Sequence, residues 1–300
     1  MNQMTNMVVI EGILAENNLE KATFVDKNGI AQDVIRGNIK VKTTITEGDE
    51  VIDIEPEIRF FTKRLKNDGN DHPGYINLNT LMTDGQSIAK VGIENASCVR
   101  ITGATVTMQE YYDPSGRFVS FPAISGSFVN IIRKEDMAAK AKAELEVVIV
   151  DMNRACDNDG VELDPPVLNI SGMSVGYNGY TDLIPIVVKN PAYIPAVEAT
   201  YGVGDIVKIN AKLNFSSKTE MREEQVEIGD PILKPYTVKV SDIIMAGMAS
   251  SSYECSAEDV QKYLNSRQQR LEDSKNKKKA APATAERSKS ITQAKATLGF

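Results

Sequence analysis

The chain has no tryptophan, a single histidine (His72) and three cysteines, Cys98, Cys156 and Cys255, each far from the others. The histidine stands in a polar loop, Asp71-His72-Pro73-Gly74. A lone loop histidine argues against a catalytic triad and excludes a multi-histidine metal site. An odd number of isolated cysteines argues against a disulfide framework and a zinc site and suits a reducing compartment. No run approaches the roughly 18–20 apolar residues that a membrane span needs. Met1 to Ile13 carries no Lys or Arg, so no secretory signal is expected and the cytoplasm is the expected location. Phosphate-binding glycine loops of the Gly-x-x-x-x-Gly-Lys-Ser/Thr and Gly-x-Gly-x-x-Gly kinds are missing as well. Asp157, Asp159 and Glu162 are acidic and close together, but they miss the ligand spacing of a calcium loop and read as turn residues. An enzyme is therefore disfavoured, and no cofactor or metal is implied.

What is present is an ordinary globular composition with an uneven charge. The 300 residues hold 34 Lys and Arg against 41 Asp and Glu, a net −7. From Tyr253 to Phe300 there are ten basic and six acidic residues, so this end is +4 and the remainder −11. An acidic body gives polyanions no long-range attraction, so any nucleic-acid site has to be a local groove.

Short period-2 segments separated by turn signals dominate the chain, which makes it mainly β. A first strand is expected over Met7 to Ile13, and Asp26-Lys27-Asn28-Gly29 reads as a hairpin turn. Val34 to Thr44 alternates cleanly, with Ile35, Gly37, Ile39, Val41 and Thr43 on one face and Arg36, Asn38, Lys40 and Lys42 on the other. A short helix is expected between Tyr75 and Ala89, strands over 96–109 and 125–132, and a connector over Asp136 to Ala143. The second half repeats this plan: strands over 145–150, 167–175 and 183–188, a short helix over 192–199 despite Pro195, then strands over 206–215 and 236–245. Five strands with a helix between the third and fourth describe a small barrel. The boundaries expected are 1–140 and 141–250 for two barrels and 251–300 for a helix and a tail. Ser256-Ala257-Glu258-Asp259 has the form of a capping box, with Val260, Tyr263, Leu264 and Leu271 on one helical face. Lys275 to Lys289 is expected to be disordered.

The stretch Arg59-Phe60-Phe61-Thr62-Lys63-Arg64-Leu65-Lys66 sets two aromatics among four cations. On a strand, Arg59, Phe61 and Lys63 share one face, able to stack a base and pair with phosphate. The plainer alternative is an edge strand with both rings in the core. With the basic row of Arg36, Lys40 and Lys42 as a neighbour, the favoured reading turns Phe61 outward and Phe60 inward.

Several segments resemble those of the two-domain single-stranded DNA-binding proteins of phages of Gram-positive bacteria. They are Val99-Arg100-Ile101-Thr102-Gly103-Ala104, Tyr111-Tyr112 through Gly116, and Phe121-Pro122-Ala123-Ile124-Ser125-Gly126 running on to Asn130. In the second half they are Val175-Gly176-Tyr177-Asn178-Gly179, Tyr201-Gly202-Val203-Gly204-Asp205, and Ile228-Gly229-Asp230-Pro231. The resemblance covers most of Met7 to Gly247. It implies two tandem OB-like barrels that coat single-stranded DNA in phage replication or recombination. The bases would stack on Phe61, Tyr111, Tyr112, Phe118, Tyr177, Tyr180 and Phe215, each of which has a core position as its alternative. The phosphates would meet Arg36, Lys40, Lys42, Arg59, Lys63, Arg64, Arg117 and Lys212. The terminal Leu298-Gly299-Phe300 is an apolar tip of the kind that recruits replication or recombination partners, but the segment before it is basic where an acidic one would be expected. A structural or scaffolding module without nucleic-acid binding is the alternative function.

Overall fold

The computed structural model describes residues 3–26, 29–66, 68–224 and 232–276. Strands β1 (Asn6–Val25), β2 (Ala31–Glu47), β3 (Glu50–Ile54) and β4 (Glu57–Lys63) precede helices α1 (Pro73–Asp84) and α2 (Ile88–Val91). Next come β5 (Cys98–Tyr112), β6 (Phe118–Gly126) and β7 (Phe128–Ile132). The second half runs β8 (Lys140–Arg154), β9 (Leu168–Val175), β10 (Thr181–Val188), α3 (Ile194–Thr200), β11 (Ile206–Glu224) and β12 (Ile232–Ser250). A last helix, α4, spans residues 257–276.

Two rings close in the same order. In the first, β1 pairs with β2, β2 with β4, β4 with β6, β6 with β5, and β5 with β1, with only β4 and β6 parallel. In the second, β8, β9, β10, β12 and β11 follow the same circuit, with β10 and β12 the parallel pair. Helices stand between the third and fourth strands of each ring, so both are OB-like barrels. β3 is a hairpin extension of β2, and β7 adds to β5.

The barrels are joined through backbone. Residues 6–11 of β1 pair with residues 140–145 of β8, so both rings belong to one continuous sheet. The alanine-rich stretch expected as a connector is thus partly strand. Ala141 and Ala143 are buried there, small side chains where two barrels meet. β1 itself changes partner at Ile13, leaving β5 for β2. Gly12 allows this bend, because a Cβ on it would lie 2.3 Å from the Lys42 carbonyl oxygen. Gly12→Ala is expected to lower stability by roughly 1–3 kcal/mol, the range for forced overpacking, read from the urea midpoint.

Three elements differ from the sequence expectation. β1 continues to Val25 and β11 and β12 extend to Glu224 and from Ile232, because polar segments are paired across a hairpin and not because they alternate in hydrophobicity. Of the expected first turn, Lys27 and Asn28 lie outside the described residues, as does everything after Asn276. Pro195 falls in the first turn of α3, where its missing N–H leaves no bond unmade. At the start of α4, Ser256 Oγ accepts the Asp259 N–H at 3.1 Å and donates to its carboxylate at 2.8 Å. Tyr263 is then buried against Met4, Val148, Met173 and Val175, which seats the helix on the second barrel. No helix of the described residues is long and apolar enough to cross a membrane.

Candidate nucleic-acid interface

β4 carries the central feature. Its side chains alternate strictly: Ile58, Phe60 and Thr62 point into the first barrel, while Arg59 and Phe61 point out. Phe60 is 4% exposed and Phe61 52%. Across the sheet, Arg36 stands opposite Phe61 and Asn38 opposite Arg59. Phe24, from the end of β1, meets the Phe61 ring edge-on with centroids 5.3 Å apart, and the Lys63 ammonium sits 5.5 Å from the Phe24 centroid. Phe24 was not among the sequence candidates; its place beside the first hairpin turn was the available signal. Past Phe61 and Lys63 lies a cleft of ≈ 620 Å³ that also reaches Leu65, Lys66 and His72. His72 caps α1, its Nδ1 accepting the Gly74 N–H at 3.0 Å.

Arg59, at the other end of the same outward row, opens onto a second cleft of ≈ 310 Å³ between the barrels. Lys40, Glu55 and Phe121 line it from the first barrel, and Phe215 and Lys239 from the second. Phe121 extends the aromatic wall outward, since Tyr111 packs edge-on to it at 6.5 Å. Phe121 and Lys239 were missed because they are neighbours only through the meeting of the two barrels. Phe215, expected as an exposed stacker, is only 8% exposed. It packs in the core and shows the cleft no more than an edge.

The expected phosphate partners are mostly engaged already. Arg36 pairs with Glu20 and Lys40 with Glu16, both at 2.8 Å and both at directly opposed positions of β1 and β2. Lys42 is 3.9 Å from Asp53, Arg59 3.3 Å from Glu57, and Arg117 3.2 Å from Asp113. Arg64 lies 3.4 Å from Asp33 and 3.3 Å from Asp71. The hydrogen bond from Lys40 holds the Glu16 carboxyl below its usual range and raises the Lys40 ammonium. Exposed pairs of this kind are worth only about 0.2–1 kcal/mol, so a phosphate can exchange for the carboxylate at small cost. Lys63 and Lys239 make no ion pair among the described residues.

The remaining candidates lie elsewhere. Tyr180 and Tyr112 each carry a cation from α4: the Arg270 guanidinium stacks 3.8 Å from the Tyr180 centroid, and the Lys275 ammonium sits 5.4 Å from that of Tyr112, although Tyr180 stays 48% exposed. Arg270 also donates to the Thr181 carbonyl at 2.8 Å, and Arg267 forms an ion pair with the buried Glu110. α4 therefore bridges both barrels over two rings that were expected to face DNA. Phe118 and Arg117 stand at the β5–β6 hairpin, where the Phe118 and Tyr112 rings are 5.4 Å apart. Tyr177, 78% exposed, stands on the Asn178-Gly179 turn beside Lys262 and Tyr263, far from β4 in the sheet order. Lys212 donates to the Thr46 carbonyl in a different inter-barrel cleft, with Lys189 and Tyr193. Leu298, Gly299 and Phe300 lie outside the described residues.

A family model, YorF, matches residues 5–277. No curated protein matches the chain. Among solved structures, a deletion mutant of the single-stranded DNA binding protein from Thermus aquaticus is similar at 10% identity and a TM-score of 0.50, over 86% of this chain and 100% of that one. The wild-type protein from Thermus aquaticus aligns at 8% identity and a TM-score of 0.49, over 85% and 97%. At 10% identity the likeness to the deletion mutant is one of fold alone, and it agrees with the two OB-like circuits traced above.

Proposed function

The chain belongs to the YorF family, and we propose that it is a non-enzymatic protein that coats single-stranded DNA, largely without sequence preference, in phage replication or recombination. The observation that carries this reading is the outward row Arg59, Phe61, Lys63 on β4, which joins two clefts and sets a half-exposed ring between two cations. Stacking on an aromatic while cations follow the backbone is how sequence-tolerant single-strand binding works. The DNA runs from the His72 cleft over Phe24 and Phe61 to the cleft between the barrels. The second barrel contributes there and not through its own matching strand, since β10 turns Leu183, Pro185 and Val187 outward, with no cation. The units 1–140 and 141–250 act as one binding body. The work is done in the host-cell cytoplasm, and the segment ending in Leu298-Gly299-Phe300 is where replication or recombination partners would attach.

Titration of labelled oligo(dT) at two salt concentrations tests this. Binding is expected at low salt, weakening about 10- to 20-fold between roughly 50 and 200 mM, the drop for about three phosphate contacts on a single strand. The acidic body and the paired cations favour a second reading, a protein-contact module that leaves DNA alone; absence of binding at low salt decides for it.

A further inference from the structure

The cleft between the barrels differs from the β4 face in its chemistry. At ≈ 310 Å³ it stands at the low end of the roughly 300–1,000 Å³ of small-ligand pockets, room for one base with its sugar and not for a stack. Its walls come from both barrels, and they are tied at this point by the Glu55 N–H, which donates to the Phe215 carbonyl at 3.2 Å. Phe121, Pro122 and Phe215 make the apolar side. The polar side is balanced and not cationic. Lys40 is held by Glu16 and Arg59 by Glu57, which leaves Lys239 as the cation and Glu55 as the carboxylate of this cleft without an ion pair among the described residues, with the Ser241 hydroxyl beside them.

An anion alone gains little from such a site. A nucleotide gains from all of it: the base lies against the Phe121 ring and the edge of Phe215, the phosphate meets Lys239, and an amine on the base donates to the Glu55 carboxylate. We propose that this cleft is a pocket for a single DNA base and that Glu55 selects bases carrying an exocyclic amine. Cytosine N4 and adenine N6 are donors of the kind that a carboxylate accepts. Thymine has no amine, and its N3–H is flanked by two carbonyl oxygens that repel the carboxylate. The inference rests on the single-stranded DNA reading and adds to it a discriminating position where the two barrels meet.

Labelled dC and dT 30-mers, titrated by fluorescence anisotropy against the full chain at one salt concentration and neutral pH, separate the two ideas. The dC strand is expected to bind about fivefold more tightly, the effect of one hydrogen bond to a charged acceptor in a partly open site. Glu55 is exposed, so Glu55→Ala should fold as the parent does by circular dichroism, and its ratio of dC to dT affinity should fall from about five to about one. Equal affinity of the parent for the two strands, or a preference that survives in Glu55→Ala, overturns the pocket and leaves the single-stranded DNA reading intact. Failure of both strands to bind overturns that reading, and the pocket with it.

Discussion

Replacing Phe61 by alanine is expected to weaken oligo(dT) binding by about 5- to 150-fold, the range that follows from about 1–3 kcal/mol per base stacked on an aromatic side chain. The size of the effect rests on preorganisation. Phe61 is fixed by a strand whose alternate residues, Ile58 and Phe60, are in the core, and its ring is held edge-on by Phe24. Little side-chain freedom remains to be lost when a base arrives. Folding stability should change far less, because half of the ring is already in water and its one aromatic contact is worth roughly 0.5–1.5 kcal/mol. Anisotropy titration paired with a urea unfolding curve separates the two effects. A Phe61→Ala protein that binds as the parent does would remove β4 from the interface.

The same strand shows what could be read from the residues and what could not. Alternation puts Phe60 and Phe61 on opposite faces of the strand, and the cations Arg59 and Lys63 beside Phe61 mark its face as the wet one. The order of five strands with a helix after the third gives the barrel. The charge state of the face is another matter. Arg36 and Lys40 read as a free basic row, because the segment Glu16 to Lys21 has too few apolar residues to be recognised as a strand; pairing it with β2 sets Glu16 and Glu20 directly against those cations. Local pattern likewise says nothing of Phe121 and Lys239, 118 positions apart in the chain, which meet only because β1 and β8 weld two barrels. The cations over Tyr112 and Tyr180 were not legible, because α4 can be read as a helix but its seat cannot. A capping box and an apolar stripe announce that a helix exists, while its docking is set by Glu110 and the turn after β9, both distant in sequence.

Removing the carboxylate at Glu11 is expected to cost about 3 kcal/mol of stability at neutral pH. Glu11 sits on β1 where the strand is shared by both barrels, opposite Arg100 of β5 on one side and Lys140 of β8 on the other. It is 1% exposed, with Lys140 Nζ at 2.5 Å, Arg100 Nε at 2.9 Å and the Ala138 N–H at 3.1 Å. Burial pushes its carboxyl upward, but the hydrogen bonds from Lys140, Arg100 and the Ala138 backbone outweigh that and hold it at about 2, against an ordinary 4.5. A folded value below the unfolded one means that the unfolded chain binds the proton first. The stabilisation is therefore complete above about pH 4.5 and fades as pH falls toward 2; at about 1.4 kcal/mol per pH unit it amounts to the figure above. The loss in Glu11→Ala should not climb far beyond it, as it would for a cation stranded in a dry core, because Arg100 and Lys140 are each at least a third exposed and can turn to water. Asp182 works in the opposite direction. Burial lifts its carboxyl to about 6, so folding is favoured by its proton and stability declines as pH rises from about 4 to 6. Urea midpoints of the parent and Glu11→Ala between pH 2 and 7 should then converge at the acid end and stand apart above pH 4.5. A constant gap down to pH 2 would show that Glu11 supports the junction by packing and not by charge.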